Sequence, residues 1–247
     1  MDKNQKTSWY REWFDTPFYH ILYKHRDEGE AKVFLENLTH YLALPKSSKL
    51  LDIPCGKGRH AHILHELGYD VTGLDLSANN IKMARATADQ GCDFHRHDMR
   101  EIFKEDAFNG ILNLFTSIGY FDSDAENQKV IKAFASQLKA GGVLVIDFLN
   151  VKKAIKELTH EELREEEGIS FCISRKVENG FIQKQIKFSF ENQEHTYQEK
   201  VRALDLSDLS SWILQAGLHL VDVFGDYDLG AFDAVNSDRL ILIAKKP

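Results

Sequence analysis

The chain of 247 residues carries 31 Lys and Arg against 38 Asp and Glu, a net charge of −7, without the basic surplus of a general nucleic-acid binder. Its 43% hydrophobic, 28% charged and 11% aromatic content suits a globular fold with a real core and excludes disorder, collagen and coiled coil. Three scattered cysteines, Cys55, Cys92 and Cys172, exclude a disulfide framework and a zinc cluster. With no apolar leader and no run of bilayer length, the expectation is a soluble, cytoplasmic protein with no membrane or nucleic-acid partner.

Residues 1–45 read as a helical cap. Trp9, Trp13, Phe14, Phe18, Ile21 and Leu22 share one apolar side, Phe34, Leu35, Leu38, Tyr41 and Leu42 another, and Pro45 ends the section. From residue 49 short apolar strands alternate with amphipathic helices, the sequence form of a parallel sheet covered on both faces. The strands are Lys49 to Ile53, Asp70 to Leu74, Asp93 to His97, Gly110 to Phe115 and Gly142 to Phe148. The helices run at about Gly58 to Leu67, Ala78 to Ala88 and Asp124 to Leu138, with Ser77 as an N-cap and Gly68 and Gly141 as stops. Beyond residue 168 the period turns to that of antiparallel strands: Ile169 to Val177, the turn Glu178-Asn179-Gly180, Phe181 to Glu191, and His195 to Ala203. Asn-Gly suits a type I′ turn, whose central residues both need positive φ. A helix from Ser207 and strands Leu218 to Phe224 and Arg239 to Lys245 complete the main sheet. The expectation is one α/β domain over 1–247, three-layered αβα. Its seven-stranded sheet is mostly parallel with an antiparallel last strand, and a three-stranded antiparallel insertion occupies 168–204.

The richest stretch is Leu50-Leu51-Asp52-Ile53-Pro54-Cys55-Gly56-Lys57-Gly58-Arg59-His60, a buried strand entering a glycine turn and then a helix. Glycines let a backbone approach a ligand at the carboxyl end of a strand, where open α/β sheets bind cofactors. Asp75 ends the second strand, where a carboxylate can accept both hydroxyls of a ribose, and Asp98 follows the third, placed to meet an adenine edge. Three successive strand ends thus supply one nucleoside site.

In this ordered set the chain resembles the class I S-adenosylmethionine-dependent methyltransferases, which implies a Rossmann-like fold. The positions that match are Asp52 with Gly56 and Gly58, Asp75 with Leu76, and Asp98 with Met99. Pro54 departs from the pattern where the family often has its first glycine, and Asn109 stands where an aspartate is common. The resemblance implies cofactor contacts at Asp52, Pro54, Cys55, Gly56, Gly58, Arg59, Asp75, Leu76, Asp98, Met99 and Phe115, and at Tyr23 and Arg26 of the cap. It also implies S-adenosyl-L-methionine as cofactor and S-adenosyl-L-homocysteine as product. Phe115, Tyr120 and Asn150 are the candidates beside the reacting centre; Asp147 and Asn150, at the end of the fifth strand, either orient an acceptor or satisfy the loop. The acidic balance favours a small-molecule acceptor, over which Trp9 to Arg26 and the hairpin from Ile169 to Ala203 would form a lid; the hairpin could instead mediate a homodimer.

Two other readings compete. Gly56-Lys57-Gly58-Arg59-His60-Ala61 satisfies G-x-G-x-x-A with Asp75 17 residues beyond Gly58, the form of an NAD(P)-binding oxidoreductase. Asp52 would oppose a pyrophosphate there yet suits the ammonium of a methionine moiety, and no Tyr-x-x-x-Lys pair is present. The other competitor is a non-catalytic nucleoside-binding domain. No metal is expected: His60, His62 and His65 lack the spacing of a helical ligand set, and His95 and His97 read as structural.

Overall fold

The structure, a computed structural model, describes residues 8–24, 28–87 and 91–247. In chain order, α1 (Trp9–Trp13), α2 (Pro17–Leu22) and α3 (Glu28–Leu42) precede the alternating run. That run is β1 (Lys49–Asp52), α4 (Arg59–Glu66), β2 (Asp70–Asp75), α5 (Ala78–Thr87), β3 (Cys92–Arg96), β4 (Phe108–Asn113), α6 (Asp124–Gln137), β5 (Leu138–Leu149) and α7 (Val151–Lys156). Four strands follow, β6 (Glu161–Glu166), β7 (Ile169–Glu178), β8 (Phe181–Phe190) and β9 (Gln193–Arg202). The chain closes with α8 (Leu206–Gln215), β10 (His219–Phe224) and β11 (Arg239–Lys245).

The chain divides into two compact units, residues 27–154 with 204–247, and residues 1–26 with 155–203. The first holds a seven-stranded sheet in the order β10-β11-β5-β4-β1-β2-β3. β11 runs antiparallel to both its neighbours, and β1 to β5 are mutually parallel. The Rossmann-like sheet with an antiparallel last strand is therefore observed. Leu50, Leu51, Ile111, Leu112, Val145 and Ile146 are fully buried, the continuous apolar runs that a sheet covered on both faces requires. Chain order reverses between β1 and β4, and the carboxyl ends on either side of that reversal form the crevice where such sheets take ligands. The Ser77 cap holds, its Oγ accepting from Asn80 N at 3.0 Å.

The second unit is a four-stranded antiparallel sheet, β6-β7-β8-β9, packed by α1 and α2. Trp13 and Leu22 bury themselves against Ile169, Phe171, Ile173, Ile186 and Phe188. Trp13 Nε1 and Tyr23 Oη both donate to Glu199 Oε1, at 2.8 and 2.7 Å. The Asn179-Gly180 turn has φ of +52° and +74°, as the dipeptide required.

Several boundaries differ from expectation. The antiparallel sheet has a fourth strand, because β6 reads Glu-Glu-Leu-Arg-Glu-Glu and alternates only in exposure, not in hydrophobicity; charge of this kind belongs on an edge strand. The expected cap is shared out, α1 and α2 in one unit and α3 in the other. β4 stops at Asn113, two residues early, since Phe115 and Thr116 turn left-handed. β5 starts at Leu138, directly after α6, so Gly141 does not stop that helix. The expected end of α5 at Ala88 lies outside the described residues.

Candidate functional site

Beyond Asp52 the chain turns through residues 53–58 before α4 begins. The Ile53–Pro54 peptide is cis. The turn is tied to β2 by Cys55 N donating to Leu74 O at 2.8 Å and Gly56 N donating to Asp75 Oδ2 at 2.9 Å. Gly56 and Gly58 are both left-handed, with φ of +55° and +87°, but for different ends. A Cβ on Gly58 would lie 2.8 Å from Phe94 Cζ and 3.2 Å from Ala84 Cβ, so this glycine lets the helix start close to its neighbours. A Cβ on Gly56 would meet nothing within 4 Å; that face of the turn is open.

Two buried carboxylates stand at this turn. Asp75 Oδ1 accepts from Ser77 N at 2.8 Å and Asn80 Nδ2 at 3.4 Å, while its Oδ2 takes the Gly56 amide. Asp52 is fully buried, and neither of its oxygens has a hydrogen-bond partner. Burial, and then the charge on Asp75, pushes Asp52 from 3.8 up to about 8. The Ala61 amide and Arg59 draw it back by less, and neither completes a bond to it. On the adjoining strand, Asn113 Nδ2 donates to Ile53 O at 2.6 Å and leaves its buried Oδ1 unpartnered. Buried acceptors with no donor are rare in folded proteins, and these three oxygens of Asp52 and Asn113 stand together at the strand-end crevice. Burial also pushes the Cys55 thiol up, with Asp52 and Asp75 adding to it, which favours the thiol over the thiolate.

An aromatic wall rises beside the turn. Phe115 stacks on His60 at 5.1 Å between ring centres, carries the Arg59 guanidinium over its face at 4.6 Å, and meets Tyr227 at 5.8 Å. Asp147 is fully buried and accepts from Phe115 N at 2.9 Å, Tyr227 Oη at 3.2 Å and Arg239 Nε at 2.8 Å. Asp98 accepts from the Arg100 amide and Nε, both at 3.0 Å, and from Nη2 at 2.7 Å, and Arg100 reaches on to Glu126 at 2.6 Å.

Residues 44–203, well over half of the chain, match the family described as methyltransferase domain. The chain belongs to the methyltransferase family. Asp52, Asp75 and Asp98 lie inside the matched stretch, and the class I resemblance they carried is borne out. The dTDP-3-amino-3,4,6-trideoxy-alpha-D-glucopyranose N,N-dimethyltransferase of Streptomyces venezuelae is 35% identical over 104 residues, 42% of this chain and 43% of that one. A dTDP-3-amino-3,6-dideoxy-alpha-D-glucopyranose N,N-dimethyltransferase of Streptomyces fradiae is 30% identical over 131 residues, 51% of each. The chain thus spans about half the length of the curated relatives it matches. An S-adenosylmethionine-dependent methyltransferase structure from Clostridium acetobutylicum gives a TM-score of 0.78 at 17% identity, over 93% of this chain and 96% of that one. That likeness is one of fold.

Of the residues expected at the methyltransferase cofactor site, Asp52, Pro54, Cys55, Gly56, Gly58, Arg59, Asp75, Leu76, Asp98, Met99 and Phe115 all lie in the unit of the parallel sheet, at or just beyond the ends of β1 to β4. Tyr23 belongs to the other unit, where it serves Glu199 and Lys184. Arg26 lies outside the described residues. Tyr120 donates its hydroxyl to Thr116 O. Asn150 Nδ2 donates to the carbonyls of Ser237, Ala234 and Asp233 at 2.8, 3.2 and 3.4 Å, which is loop closure. Among the described residues no group of three His, Cys, Asp or Glu could hold a metal ion, and no helix is long and apolar enough to cross a membrane. Tyr227, Arg239 and Asn113 were missed as contributors because the first two lie over 100 residues beyond the motif and the third reads as a plain strand residue.

Proposed function

We propose that this chain binds S-adenosyl-L-methionine in the crevice at the ends of β1, β2 and β4 and transfers its methyl group to a small-molecule acceptor. The observation that carries the reading is the Asp52 carboxylate, fully buried, unpartnered and held up to about 8 beside Asp75. Such an acid gains most from a ligand that brings a cation, which the ammonium of the methionine moiety does; a pyrophosphate would bring like charge. The residues present therefore fit the cofactor. Asp52 and Asn113 Oδ1 would take its ammonium, the open face of Gly56 its approach to the turn, Asp75 its ribose, and Asp98 with Leu76 and Met99 its adenine.

Bound there, the cofactor supplies a methyl group already activated on a sulfonium, so the protein's part is alignment and exclusion of water. Phe115, braced between His60, Arg59 and Tyr227, presents an apolar wall that keeps water off that side. An amine on a sugar is the acceptor class we favour, since the curated relatives named above act on dTDP-amino sugars; an oxygen acceptor, as in an O-methyltransferase of ubiquinone biosynthesis, is the alternative. A lid role for Trp9 to Arg26 and the hairpin from Ile169 to Ala203, a cytoplasmic location for a chain with three free thiols, and a homodimer belong to the same proposal.

Calorimetry with S-adenosyl-L-homocysteine and, separately, NADH tests the cofactor class. Binding of the first alone supports the reading, and binding of NADH alone refutes it. Mass spectrometry of a dTDP-amino sugar against a catechol, each incubated with cofactor, then decides the acceptor class, and sedimentation decides the oligomer.

A further inference from the structure

Two consecutive residues of the wall, Phe115 and Thr116, have φ of +60° and +57°. An L side chain with a Cβ disfavours this region, and two in a row persist only where the surroundings dictate them. What dictates them here comes from the neighbouring strands β5 and β11. Phe115 N donates to Asp147 Oδ2 at 2.9 Å and Thr116 N to Asp147 O at 3.1 Å. Asp147, with no exposed surface, is gripped in turn by Arg239, whose Nε and Nη2 lie 2.8 and 2.7 Å from Oδ1. The same Nη2 donates to Thr116 Oγ1 at 3.2 Å. Arg239 thus spans the carboxylate and the turn with a single planar fork, and Tyr227 closes the set through its bond to Asp147 and its ring against Phe115.

We infer that Arg239 is a positioning residue: acting through Asp147 and Thr116, it holds the left-handed Phe115–Thr116 turn and thereby stands Phe115 in the wall of the cofactor crevice. The inference rests on the proposed cofactor site for its functional consequence, but not for the turn itself. Lysine keeps the charge but gathers its donors on a single nitrogen, so it cannot reproduce the fixed pairing of Nε and Nη2 on Asp147 with Nη2 reaching Thr116. Valine at 116 keeps the shape and the Asp147–Arg239 pair while removing the hydroxyl acceptor.

The test has two arms. In the ligand-free protein, hydrogen exchange at the Phe115 and Thr116 amides should quicken at least tenfold in Arg239→Lys and severalfold in Thr116→Val, with the amides of β1 unchanged. In the second arm, calorimetry with S-adenosyl-L-homocysteine should show about tenfold weaker binding for Arg239→Lys and about threefold for Thr116→Val. Both losses should vanish when placed on Phe115→Ala, because the residue they position is gone. A purely structural Arg239 would lower the melting temperature while leaving affinity unchanged, or weaken binding equally with and without Phe115; either result overturns the inference. Should Arg239→Lys not fold, Thr116→Val decides alone by the same criteria. If the wild type binds no S-adenosyl-L-homocysteine, the proposed function fails, and the exchange arm still decides whether Arg239 holds the turn.

Discussion

Replacing Asp52 by asparagine should make the ligand-free protein more stable and the cofactor complex weaker, and both effects should follow one titration. Burial and Asp75 lift Asp52 from 3.8 to about 8 in the folded chain. A raised folded-state value means that the native protein holds the proton more tightly than the unfolded chain does. Its contribution to stability is fully present below pH 3.8 and is lost as pH rises through about 8. By pH 7 the wild type has travelled about three pH units of that interval, roughly 4 kcal/mol at 1.36 per unit, and relaxation around the ionised acid lowers the visible effect to about 2–4 kcal/mol. Asparagine has the same shape and no proton to lose. The difference between Asp52→Asn and wild type in urea unfolding should therefore grow from near zero at pH 4 to its full size by pH 8, while other titrating groups cancel between the two. Binding runs the other way. An ammonium favours the ionised acid, so the affinity of the wild type for S-adenosyl-L-homocysteine should rise with pH from 6 to 8, by up to about tenfold per unit, with proton release. The variant should bind weakly and without that slope. A stability difference that stays flat with pH, or a variant less stable than wild type at pH 8, would refute the reasoning.

Asp75→Ala should weaken S-adenosyl-L-homocysteine binding by about 2 kcal/mol, roughly 30-fold, as loss of a buried charged acceptor does; unchanged affinity in calorimetry would remove Asp75 from the ribose. An analogue with inosine in place of adenosine should bind the wild type much more weakly, and Asp98→Asn should narrow the gap; equal binding of both by wild type would contradict the adenine role. Gly56→Ala and Gly58→Ala should separate cleanly, since only Gly58 has neighbours in the way. The first should cost about 1 kcal/mol of stability but most of the cofactor affinity, the second about 2–4 kcal/mol of stability in urea unfolding. Removing residues 1–26 strips Trp13 and Leu22 from the antiparallel sheet; limited proteolysis should then digest 155–203 while the parallel-sheet unit still binds S-adenosyl-L-homocysteine and no longer transfers methyl.

Much of this was legible because the decisive signals are local. The run into Gly56 and Gly58, the acids at 52, 75 and 98, and the Asn179-Gly180 turn each declare themselves within a few residues, and the alternation of strand and helix orders them in space. β6 was hidden for the opposite reason: an edge strand kept from mispairing by charge carries no apolar period to read. The early end of β4 was hidden too, since Asn-Leu-Phe-Thr has the composition of a strand and its left-handed break is imposed by Asp147 and Arg239, 32 and 124 residues beyond Phe115.

The same contrast separates acids that the sequence presents alike. Asp52, Asp75 and Asp98 look alike in sequence, each a carboxylate at a strand end, and their standing differs only in the company the fold gives them. Asp98 is matched by Arg100, Asp75 by three donors, and Asp147 by an amide, a hydroxyl and a guanidinium. Asp52 alone of the four completes no hydrogen bond, and Arg59 offsets its burial only in part, in a core that would hold a leucine at no such cost. A buried acid left in that state destabilises the empty protein at neutral pH, so its presence argues for a use that outweighs the loss. The pH slope of Asp52→Asn against wild type is the measurement that separates the two: a site kept for ligand trades stability for affinity at the same residue, and an idle one does not.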